Sequence, residues 1–365
     1  MDTFDLIIKL VFIFVLSGLL SFLLIIIFRK LFYKINILDN PKKYGKKRAP
    51  IPYSMGVVFF IGFFIMSYFF VDYNYKLGLI WIFGFIITSI SFLDDRLNVS
   101  PKIRLLIQIL IGATIGLTSI KIGYVSNIFG GIINLETYNF EIFGLTVYII
   151  PLIFTVIWYV FIFNALNWSD GIQGNTSGVS FISFLILFLL GVILFNREIS
   201  YDLIKNAEFI MKSSLILIGI ILPFWFFDFK EKILMGDSGT MFLGFMLATL
   251  AIISGGKVAT VLVVFGIYSV DAVYVIVKRL LKGKNPLKGD FTHLHHRLLD
   301  IGLTKNQVLF TIYSLSLLFG LTGLFLEKTG KIIVFLIIIV VVIFMNKIVE
   351  NILPIKNKNN KKGKK

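Results

Sequence analysis

The sequence predicts an all-α protein that crosses a membrane many times. Of its 365 residues, 57% are hydrophobic and 16% aromatic, only 15% are charged, and the mean hydropathy is +0.91. A soluble chain of this length could not enclose so much apolar surface in one core. Apolar runs recur along the chain, and each has about the 20 residues that a helix needs to cross the hydrocarbon of a bilayer.

We predict about eleven transmembrane helices. They lie at approximately residues 5–28, 54–71, 77–94, 103–120, 145–165, 176–196, 206–227, 238–254, 258–277, 306–326 and 331–349. The first is expected to be retained, because Asp2 and Asp5 replace the basic leader of a secretory signal and no small-residue cleavage site follows. Residues 1–350 would then form one transmembrane domain, and the basic residues 351–365 a disordered tail.

The distribution of Lys and Arg predicts the orientation of these helices. The odd-numbered connections and the tail carry 27 of the 36 basic residues, whereas the even-numbered connections carry 7. Cytoplasmic loops are enriched in Lys and Arg, so we expect the N-terminus outside and the C-terminus in the cytoplasm. Because this asymmetry accounts for the net charge of +16, a nucleic-acid partner is not expected.

One external connection has the pattern of β-strands. Residues 121–144 contain β-branched and aromatic runs on either side of Gly130 and Gly131. Such runs around a glycine pair are typical of a tight hairpin. We therefore expect a small external β-hairpin between the fourth and fifth spans.

Two adjacent acids end the third predicted span, in the segment SFLDDRLNVSPKIRLLIQ. Asp94 and Asp95 would lie at a helix C-terminus, whose partial negative charge disfavours each of them by about 0.3–1 kcal/mol. A cation should compensate them, and the candidates are a divalent metal, Arg96, Lys102 or Arg104. A solvated helix end with incidental acids is the alternative.

The connection between the fifth and sixth spans is polar and rich in glycine, with the sequence FNALNWSDGIQGNTSG. Its glycines allow the backbone to approach a ligand closely. Asn164, Asn167 and Asp170 supply oxygen atoms of the kind that hard cations bind. A loop that only connects two helices is the alternative interpretation.

The segment LMGDSGTMFLG places Asp237 at the start of the eighth span. Asp237 or Ser238 could cap this helix. A carboxylate at the positive end of a helix also stays ionised, as a Mg²⁺ ligand must, and Mg²⁺ is often shared with substrate phosphates. Asp94, Asp95, Asn167 and Asp237 would form such a site if they converge at one membrane face.

All three histidines of the chain lie in GDFTHLHHRLLD, between the ninth and tenth spans: His293, His295 and His296. With Arg297 and the preceding Lys and Arg residues they make a cationic cytoplasmic loop that suits a pyrophosphate. Zinc is a less favoured explanation, because H-x-H-H lacks the spacing of H-E-x-x-H and the chain contains no Cys. An interfacial segment without a ligand is the third alternative.

Together these four segments resemble, in order and approximate spacing, the polyprenyl-phosphate N-acetylhexosamine-1-phosphate transferases. The resemblance covers about residues 39–305. The HLHHRL motif followed by DIGL, and the number of predicted spans, are similar to the branch that primes O-antigen of lipopolysaccharide, enterobacterial common antigen or teichoic acid. The alternative is the peptidoglycan branch, which transfers phospho-N-acetylmuramoyl-pentapeptide and usually has ten spans.

The resemblance implies a transferase in the bacterial inner or plasma membrane, with its active site on the cytoplasmic face and residues 1–350 as the catalytic domain. Undecaprenyl phosphate would attack the β-phosphorus of a UDP-N-acetylhexosamine, with UDP-N-acetylglucosamine favoured. The products would be UMP and the lipid-linked pyrophosphoryl sugar that begins a cell-envelope polysaccharide. The resemblance also implies Mg²⁺ as cofactor, with Mn²⁺ as an alternative. Whether the protein forms a homodimer is left open.

The same resemblance assigns residues to roles. Asp94, Asp95 and Asp237 match the catalytic aspartates, and Asp237 and Asn167 match the metal ligands. Arg104 matches a residue that meets the lipid phosphate, and the histidine motif matches the loop that grips the nucleotide-sugar pyrophosphate. The complete set of matched substrate-binding positions is Arg104, Asn164, Asp170, Gln173, His293, His295, His296 and Arg297.

Two positions depart from the family pattern. Gln173 replaces an aspartate found in many bacterial members. The first cytoplasmic loop keeps Asp39 and Pro41 but has no histidine, and only Gly56 remains of a glycine pair.

From another class, a secondary transporter is the alternative function. It would place ionisable residues near the middle of the bilayer. Here the ionisable clusters are predicted at one membrane face, and only Lys9 and Lys212 fall within spans, so transport is not favoured. A pure scaffold would not need acids, amides and histidines on one side.

Overall fold

A computed structural model describes residues 3–44, 48–97, 99–127, 131–142, 144–197, 200–255, 258–283 and 292–362. This part of the chain is mostly helical, with one short 3₁₀ helix at Pro41–Tyr44. The α-helices are α1 Thr3–Lys34, α2 Val57–Phe70, α3 Tyr75–Leu97, α4 Pro101–Gly116, α5 Ile149–Ser169, α6 Asn175–Arg197, α7 Tyr201–Phe229, α8 Gly236–Ile253, α9 Val258–Val264, α10 Gly266–Leu281, α11 Leu294–Asp300, α12 Lys305–Phe325 and α13 Lys328–Lys362.

In the described chain, eight helices are long and apolar enough to cross a membrane, namely α1, α3, α5, α6, α7, α8, α12 and α13. The bent pair α9 and α10 would be a ninth. The protein is therefore a multi-pass membrane protein. The predicted number of eleven is not confirmed, because α2 and α4 have only 14 and 16 residues, fewer than the roughly 20 needed to span the hydrocarbon.

The predicted ninth span, at residues 258–277, is two helices rather than one. α9 and α10 meet at Phe265 with an angle of 81° between them. Helix α13 packs closely against this bend, since a Cβ on Gly266 would lie 2.7 Å from Ile338 Cδ1. The bend sets the direction of α10, the helix that precedes the histidine motif.

The connection between α4 and α5, predicted to be external, contains two small antiparallel hairpins. Strand β1 (Tyr124–Ser126) pairs with β2 (Ile132–Asn134), and β3 (Asn139–Ile142) pairs with β4 (Leu145–Tyr148). The predicted hairpin is confirmed in β1 and β2, with Gly131 at φ 74° in their connection; Gly130 lies outside the described residues. The second hairpin was missed because the apolar residues of β4 were assigned to the fifth span.

The last helix extends beyond its predicted end. Helix α13 continues to Lys362, through most of the segment at residues 351–365 that the sequence predicts as a disordered tail. Extending an existing helix adds one hydrogen bond for each residue fixed and needs no new nucleus. The final three residues lie outside those described.

Helix α8 forms the centre of the bundle. It is buried along almost its whole length and packs against α3 and α5 as well as shorter stretches of α2, α6 and α9. A helix that is apolar on every side is stable only where other helices surround it. This central position means that the first turn of α8, with Asp237, is held by several neighbouring segments.

The connection between α1 and α2 pairs with the chain that leads into α8. Leu234 N donates to Pro52 O over 2.9 Å, Met55 N donates to Leu234 O over 3.1 Å, and Gly56 N donates to Met235 O over 3.0 Å. These bonds bring the start of α2 against the start of α8. Gly56 lies at the closest point of this contact. It is the glycine that remains of the pair expected in the first loop.

We expect Gly56→Ala to destabilise the fold. A Cβ at this position would lie 2.0 Å from the backbone N of Gly239 and 2.1 Å from its Cα, so two backbones would have to separate. Overpacking of this kind costs about 1–3 kcal/mol. Thermal unfolding in detergent measures the effect, with Gly18→Ala as control because the nearest atom to its added Cβ is 3.6 Å away. Equal midpoints for the two variants would contradict this description of the contact.

Candidate active site

The side chain of Asp237 is the meeting point of three helices. Arg104 Nη1, from α4, donates to its Oδ2 over 2.6 Å, and Asn167 Nδ2, from α5, donates to its Oδ1 over 2.7 Å. Asn167 Nδ2 also lies 3.0 Å from Thr240 Oγ1, one turn further along α8. The carboxylate keeps part of its surface exposed, so a ligand can reach it.

The position of Arg104 follows from the local sequence. Ser100 caps α4 by accepting from Ile103 N, and Pro101 occupies the first helical position, where its missing N–H costs nothing. Helix α4 therefore starts immediately after α3 ends, and Arg104 lies in its first turn. This is the turn that faces the end of α3 and the start of α8.

Asp94 is the buried member of the aspartate pair. Its Oδ1 accepts from Val99 N over 2.7 Å, and its Oδ2 lies 3.4 Å from Arg104 Nε. The guanidinium of Arg104 thus contacts Asp94 and Asp237 together. Of the cations proposed from the sequence to compensate the aspartates, Arg104 makes these contacts.

Asp95 caps α8 from the neighbouring helix. Its carboxylate accepts from the backbone N of Asp237 over 2.8 Å and from that of Ser238 over 3.2 Å. A negative charge at a helix N-terminus is favourable because it satisfies the unpaired N–H groups and the helix dipole. Gly236, at φ 71°, makes room for this contact, since a Cβ there would lie 2.6 Å from Asp95 Oδ2. The cap predicted for Asp237 or Ser238 is thus provided by Asp95.

The C-terminal turn of α5 connects the carboxylates to the histidine motif. Asn167 contacts Asp237, while the ring of Trp168 stacks on His293 with centroids 5.6 Å apart and planes inclined by 26°. A Cβ on Gly171 would lie 2.2 Å from His295 Nε2 and 2.3 Å from His296 Nε2. The motif predicted to bind pyrophosphate therefore lies beside the carboxylate cluster, which consists of Asp94, Asp95 and Asp237.

Asp271 of α10 anchors the start of the histidine motif. Its Oδ2 lies 2.9 Å from His293 Nδ1, and its Oδ1 accepts from Leu294 N over 3.1 Å. Asp271 and His293 are both buried. One carboxylate thus orients an imidazole and caps the short helix α11.

The other two histidines differ in exposure. His295 is buried, and its Nε2 has no hydrogen-bond partner within the described part of the chain. Burial, followed by the charges of His296 and His293, lowers the pKa of His295 well below its usual value, so this imidazole is neutral. His296 is only half-buried, which makes it the histidine of the three best placed to touch a ligand.

Arg297 points away from the cluster. Its guanidinium is buried against α13, where Nη1 donates to Asn346 Oδ1. Nη2 donates to Asn346 O and to Glu350 Oε1, and both of these Nη2 bonds are 3.1 Å long. The sequence grouped Arg297 with the pyrophosphate-binding residues. The structure instead gives it contacts that fasten α11 to α13, because a helical residue adjacent to His296 faces another side of α11.

The three predicted residues of the polar loop take different positions. Asn164 Nδ2 donates to Gln108 Oε1 over 2.7 Å, which links α5 to α4 below the cluster. Gln173 is half-buried in the loop. Asp170, at the start of the loop, is exposed as a residue, but its carboxyl group lies beside Thr176 and is largely removed from water. This loss of water, followed by the charges of Asp228 and Asp237, raises the pKa of Asp170 above its usual value.

Sequence reasoning missed two buried aspartates that hold the site together. Asp228, at the end of α7, accepts from Gly174 N over 2.9 Å and from Ser177 Oγ over 2.6 Å, and so fixes the polar loop. Asp271 lies inside the predicted ninth span, although only Lys9 and Lys212 were assigned to spans. An ionisable residue within an apolar helix is a functional candidate by default, and that signal could have identified Asp271.

The donor atoms fit Mg²⁺ better than zinc. Within the described ranges, no group of three or more His, Cys, Asp or Glu side chains is arranged to hold a metal by itself. The hard oxygen donors here are the carboxylates of Asp94 and Asp237 and the amide oxygen of Asn167. A rotation of the Asn167 amide group would turn its oxygen toward Asp237. Mg²⁺ is typically held by one or two carboxylates with water and substrate phosphates.

Comparisons with known proteins identify the family of this chain. Residues 77–255 match the model of glycosyl transferase family 4. A probable undecaprenyl-phosphate N-acetylglucosaminyl 1-phosphate transferase of Bacillus subtilis (strain 168) is 30% identical over 265 residues, which are 70% of this chain and 68% of that protein. The chain belongs to glycosyl transferase family 4.

Two further relatives extend the comparison. An undecaprenyl-phosphate alpha-N-acetylglucosaminyl 1-phosphate transferase of Haemophilus influenzae is 28% identical over 315 residues, 83% of each chain. A decaprenyl-phosphate N-acetylglucosaminephosphotransferase of Mycobacterium tuberculosis is 31% identical over 172 residues, 42% of each chain. The superfamily and branch predicted from the motifs are confirmed.

We expect Asp271→Ala to loosen the histidine motif. The change leaves His293 Nδ1 and the buried Leu294 N without their acceptor, and each unsatisfied buried group costs about 1–3 kcal/mol. Amide hydrogen exchange over residues 293–300 should therefore accelerate by one to two orders of magnitude. Asp300→Ala, at the exposed end of the same helix, is the control. Unchanged protection in Asp271→Ala would show that Asp271 does not anchor the motif.

Proposed function

We propose that this protein transfers N-acetylglucosamine 1-phosphate from UDP-N-acetylglucosamine to undecaprenyl phosphate. The products are UMP and undecaprenyl-pyrophosphoryl-N-acetylglucosamine, with which a cell-envelope polysaccharide begins. Family membership and the names of the Bacillus and Haemophilus relatives support this acceptor and this sugar. The structural observation that carries the proposal is the convergence of Arg104 and Asn167 on Asp237 at one end of the bundle.

The chemistry requires that negative charges be neutralised. Both substrates carry phosphate groups that repel each other, and positioning with electrostatic stabilisation supplies most of the catalysis in phosphoryl transfer. We propose that Asp94, Asp237 and Asn167 hold Mg²⁺, or Mn²⁺ in its place, which when bound would offset the charge of the phosphates. Asp95 contributes by fixing the first turn of α8, and with it Asp237.

Arg104 is proposed to meet the phosphate of the lipid acceptor. Its guanidinium is partly exposed beside Asp94 and Asp237. On the same helix Ile103, Leu106 and Leu110 are exposed apolar residues, as a surface in contact with lipid requires. An acceptor anchored in the bilayer would therefore reach Arg104 from the side of α4.

The histidine motif and the polar loop are proposed to bind the nucleotide sugar. His296 is the half-buried imidazole at the junction with Gly171, and we assign it the contact with the pyrophosphate. His293, His295 and Arg297 would support it through the contacts that orient α11. Asp170 and Gln173, on the exposed side of the loop, are assigned to the nucleotide.

We place the active site on the cytoplasmic face of the bacterial inner or plasma membrane. The excess of basic residues in the connections on that side, 27 against 7, supports this orientation. Transfer of phospho-N-acetylmuramoyl-pentapeptide is not favoured, because the relatives described above carry N-acetylglucosamine in their names. Transport is not favoured either, since the acidic and histidine residues of the cluster gather at one end of the bundle.

An exchange assay tests the reaction. Purified protein should incorporate labelled UMP into UDP-N-acetylglucosamine only when undecaprenyl phosphate and Mg²⁺ are both present. Parallel reactions with UDP-N-acetylgalactosamine and UDP-N-acetylmuramoyl-pentapeptide should give little exchange. Exchange only with one of the other two nucleotides, or no exchange when the lipid and Mg²⁺ are both supplied, would overturn the proposed reaction.

Asp237→Asn should nearly abolish turnover. The amide keeps the size of the side chain but loses the charge that pairs with Arg104 and binds a metal. Loss of one electrostatic group at a phosphoryl-transfer site lowers kcat by about 10²–10³-fold or more. Asp202→Asn, exposed in the first turn of α7, serves as the control, measured in the same exchange assay. An Asp237→Asn variant as active as that control would remove Asp237 from the catalytic centre.

His296→Ala should weaken the use of the nucleotide sugar selectively. A hydrogen bond to a charged phosphate contributes about 1.5–3 kcal/mol, so the KM for UDP-N-acetylglucosamine should rise roughly 10- to 100-fold. The KM for undecaprenyl phosphate, measured on the same preparation, is the internal control and should not change. Equal increases in both constants, or none, would contradict the assignment of His296.

A further inference from the structure

The second external hairpin, β3 with β4, lies on the membrane face opposite the active site. Arg104 and Asn167 are near the start of α4 and the end of α5, whereas the hairpins follow the end of α4 and precede the start of α5. Helix α5 has 21 residues, which gives it a length of about 30 Å. The hairpin is therefore separated from the active site by the thickness of the bundle.

The residues of this hairpin divide into an apolar and a polar face. Phe140 pairs with Val147, while Asn139 pairs with Tyr148 and Glu141 with Thr146. Successive side chains of a strand point to opposite faces, so Phe140 and Val147 share one face with Ile142. Asn139, Glu141 and Thr146 occupy the other.

The apolar face is covered at the base of the hairpin and uncovered toward its tip. Val147, next to the start of α5, is only 8% exposed, whereas Phe140 is 41% exposed and Ile142 is 45% exposed. One apolar face of the hairpin is therefore buried at Val147 and uncovered at Phe140 and Ile142.

What lies beside the bundle at this point is lipid. Strand β4 runs directly into α5, and Ile149, Ile153 and Ile157 form an exposed apolar stripe at every fourth position of that helix. In a multi-pass membrane protein such a stripe faces the acyl chains. The hairpin therefore begins where the lipid-facing surface of α5 ends.

The side chains around the base of the hairpin are those typical of a membrane–water boundary. Lys121 Nζ lies 3.7 Å from the centre of the Tyr148 ring and 3.2 Å from Glu136 Oε1. Tyr138 is exposed on the turn between the two hairpins. Tyrosine and lysine are favoured at the level of the lipid headgroups, where a ring can be buried while a polar group stays in water.

We propose that the hairpin of β3 and β4 rests on the bilayer, with Phe140 and Ile142 inserted at the boundary between headgroups and acyl chains. Asn139 and Glu141 then face water. The bound partner is the lipid leaflet on the side opposite the active site. This proposal does not depend on the transferase reaction, because it concerns only the placement of the external hairpin.

Site-directed spin labelling tests this placement. The chain contains no cysteine, so no native residue has to be replaced before a label is attached. The single substitutions are Phe140→Cys, Ile142→Cys, Asn139→Cys and Glu141→Cys. The protein is reconstituted in vesicles of phosphatidylethanolamine and phosphatidylglycerol, and the accessibility of each label to oxygen and to a water-soluble nickel complex is measured. Positions 139 and 141 are the matched controls, since they share the strand but not the face.

Labels at 140 and 142 should be severalfold more accessible to oxygen than to nickel, and labels at 139 and 141 should show the reverse. Equal accessibility of all four positions to nickel would overturn the proposal, because the apolar face would then lie in water. Shielding of 140 and 142 from both reagents would also overturn it, because a protein surface, such as a second copy of the chain, would then cover the face. Gel filtration of each labelled protein confirms that the fold is retained.

Discussion

The carboxylate of Asp237 accepts hydrogen bonds from Arg104 and Asn167, which lie 133 and 70 residues away in the chain. Three helices must therefore end or begin at one point for this interaction to form. The constraint is met because α8 is buried on all sides, and because its first turn is fixed by Asp95 and by the contact of Gly56 with Gly239. A buried helix whose N-terminus is capped by a neighbour has little freedom to move its first carboxylate.

The end of α5 extends this arrangement to the histidine motif. Asn167, Trp168 and Gly171 contact Asp237, His293 and the two following imidazoles in turn. The end of α5 and the start of the following loop thus set the relative position of an acidic cluster and a segment suited to phosphate. Because electrostatic catalysis depends on groups held in place before the substrates arrive, the packing around α5 and α8 is part of the chemistry proposed for the site.

Much of this arrangement could be predicted from the sequence. Hydropathy located the helices, and polar residues at their ends indicated that Asp94, Asn167, Asp237 and the histidines gather at one end of the bundle. The contacts of individual side chains could not be read in this way. Asp95 caps a helix that is distant in sequence, and Arg297 turns toward α13; both depend on tertiary packing that periodicity does not encode.

The number of spans was also beyond what hydropathy can decide. An apolar run of fixed length describes equally well a straight span, a shorter buried helix such as α2, or the 81° bend between α9 and α10. At the bend Gly266 packs closely against Ile338, a contact between distant parts of the chain that hydropathy does not reveal. Asp271 was overlooked for a related reason, since it lies within an apolar run and its partner is in the next connection.

Cleavage of the chain by bound iron tests most directly whether these segments surround one metal ion. Fe²⁺ placed in a Mg²⁺ site generates radicals under ascorbate and peroxide, which cut the backbone close to the ion. If Asp94, Asn167 and Asp237 share one ion, cuts should appear near all three positions and should disappear together as Mg²⁺ is added. Cuts near only one of these positions, or cuts that Mg²⁺ does not suppress, would contradict the shared site.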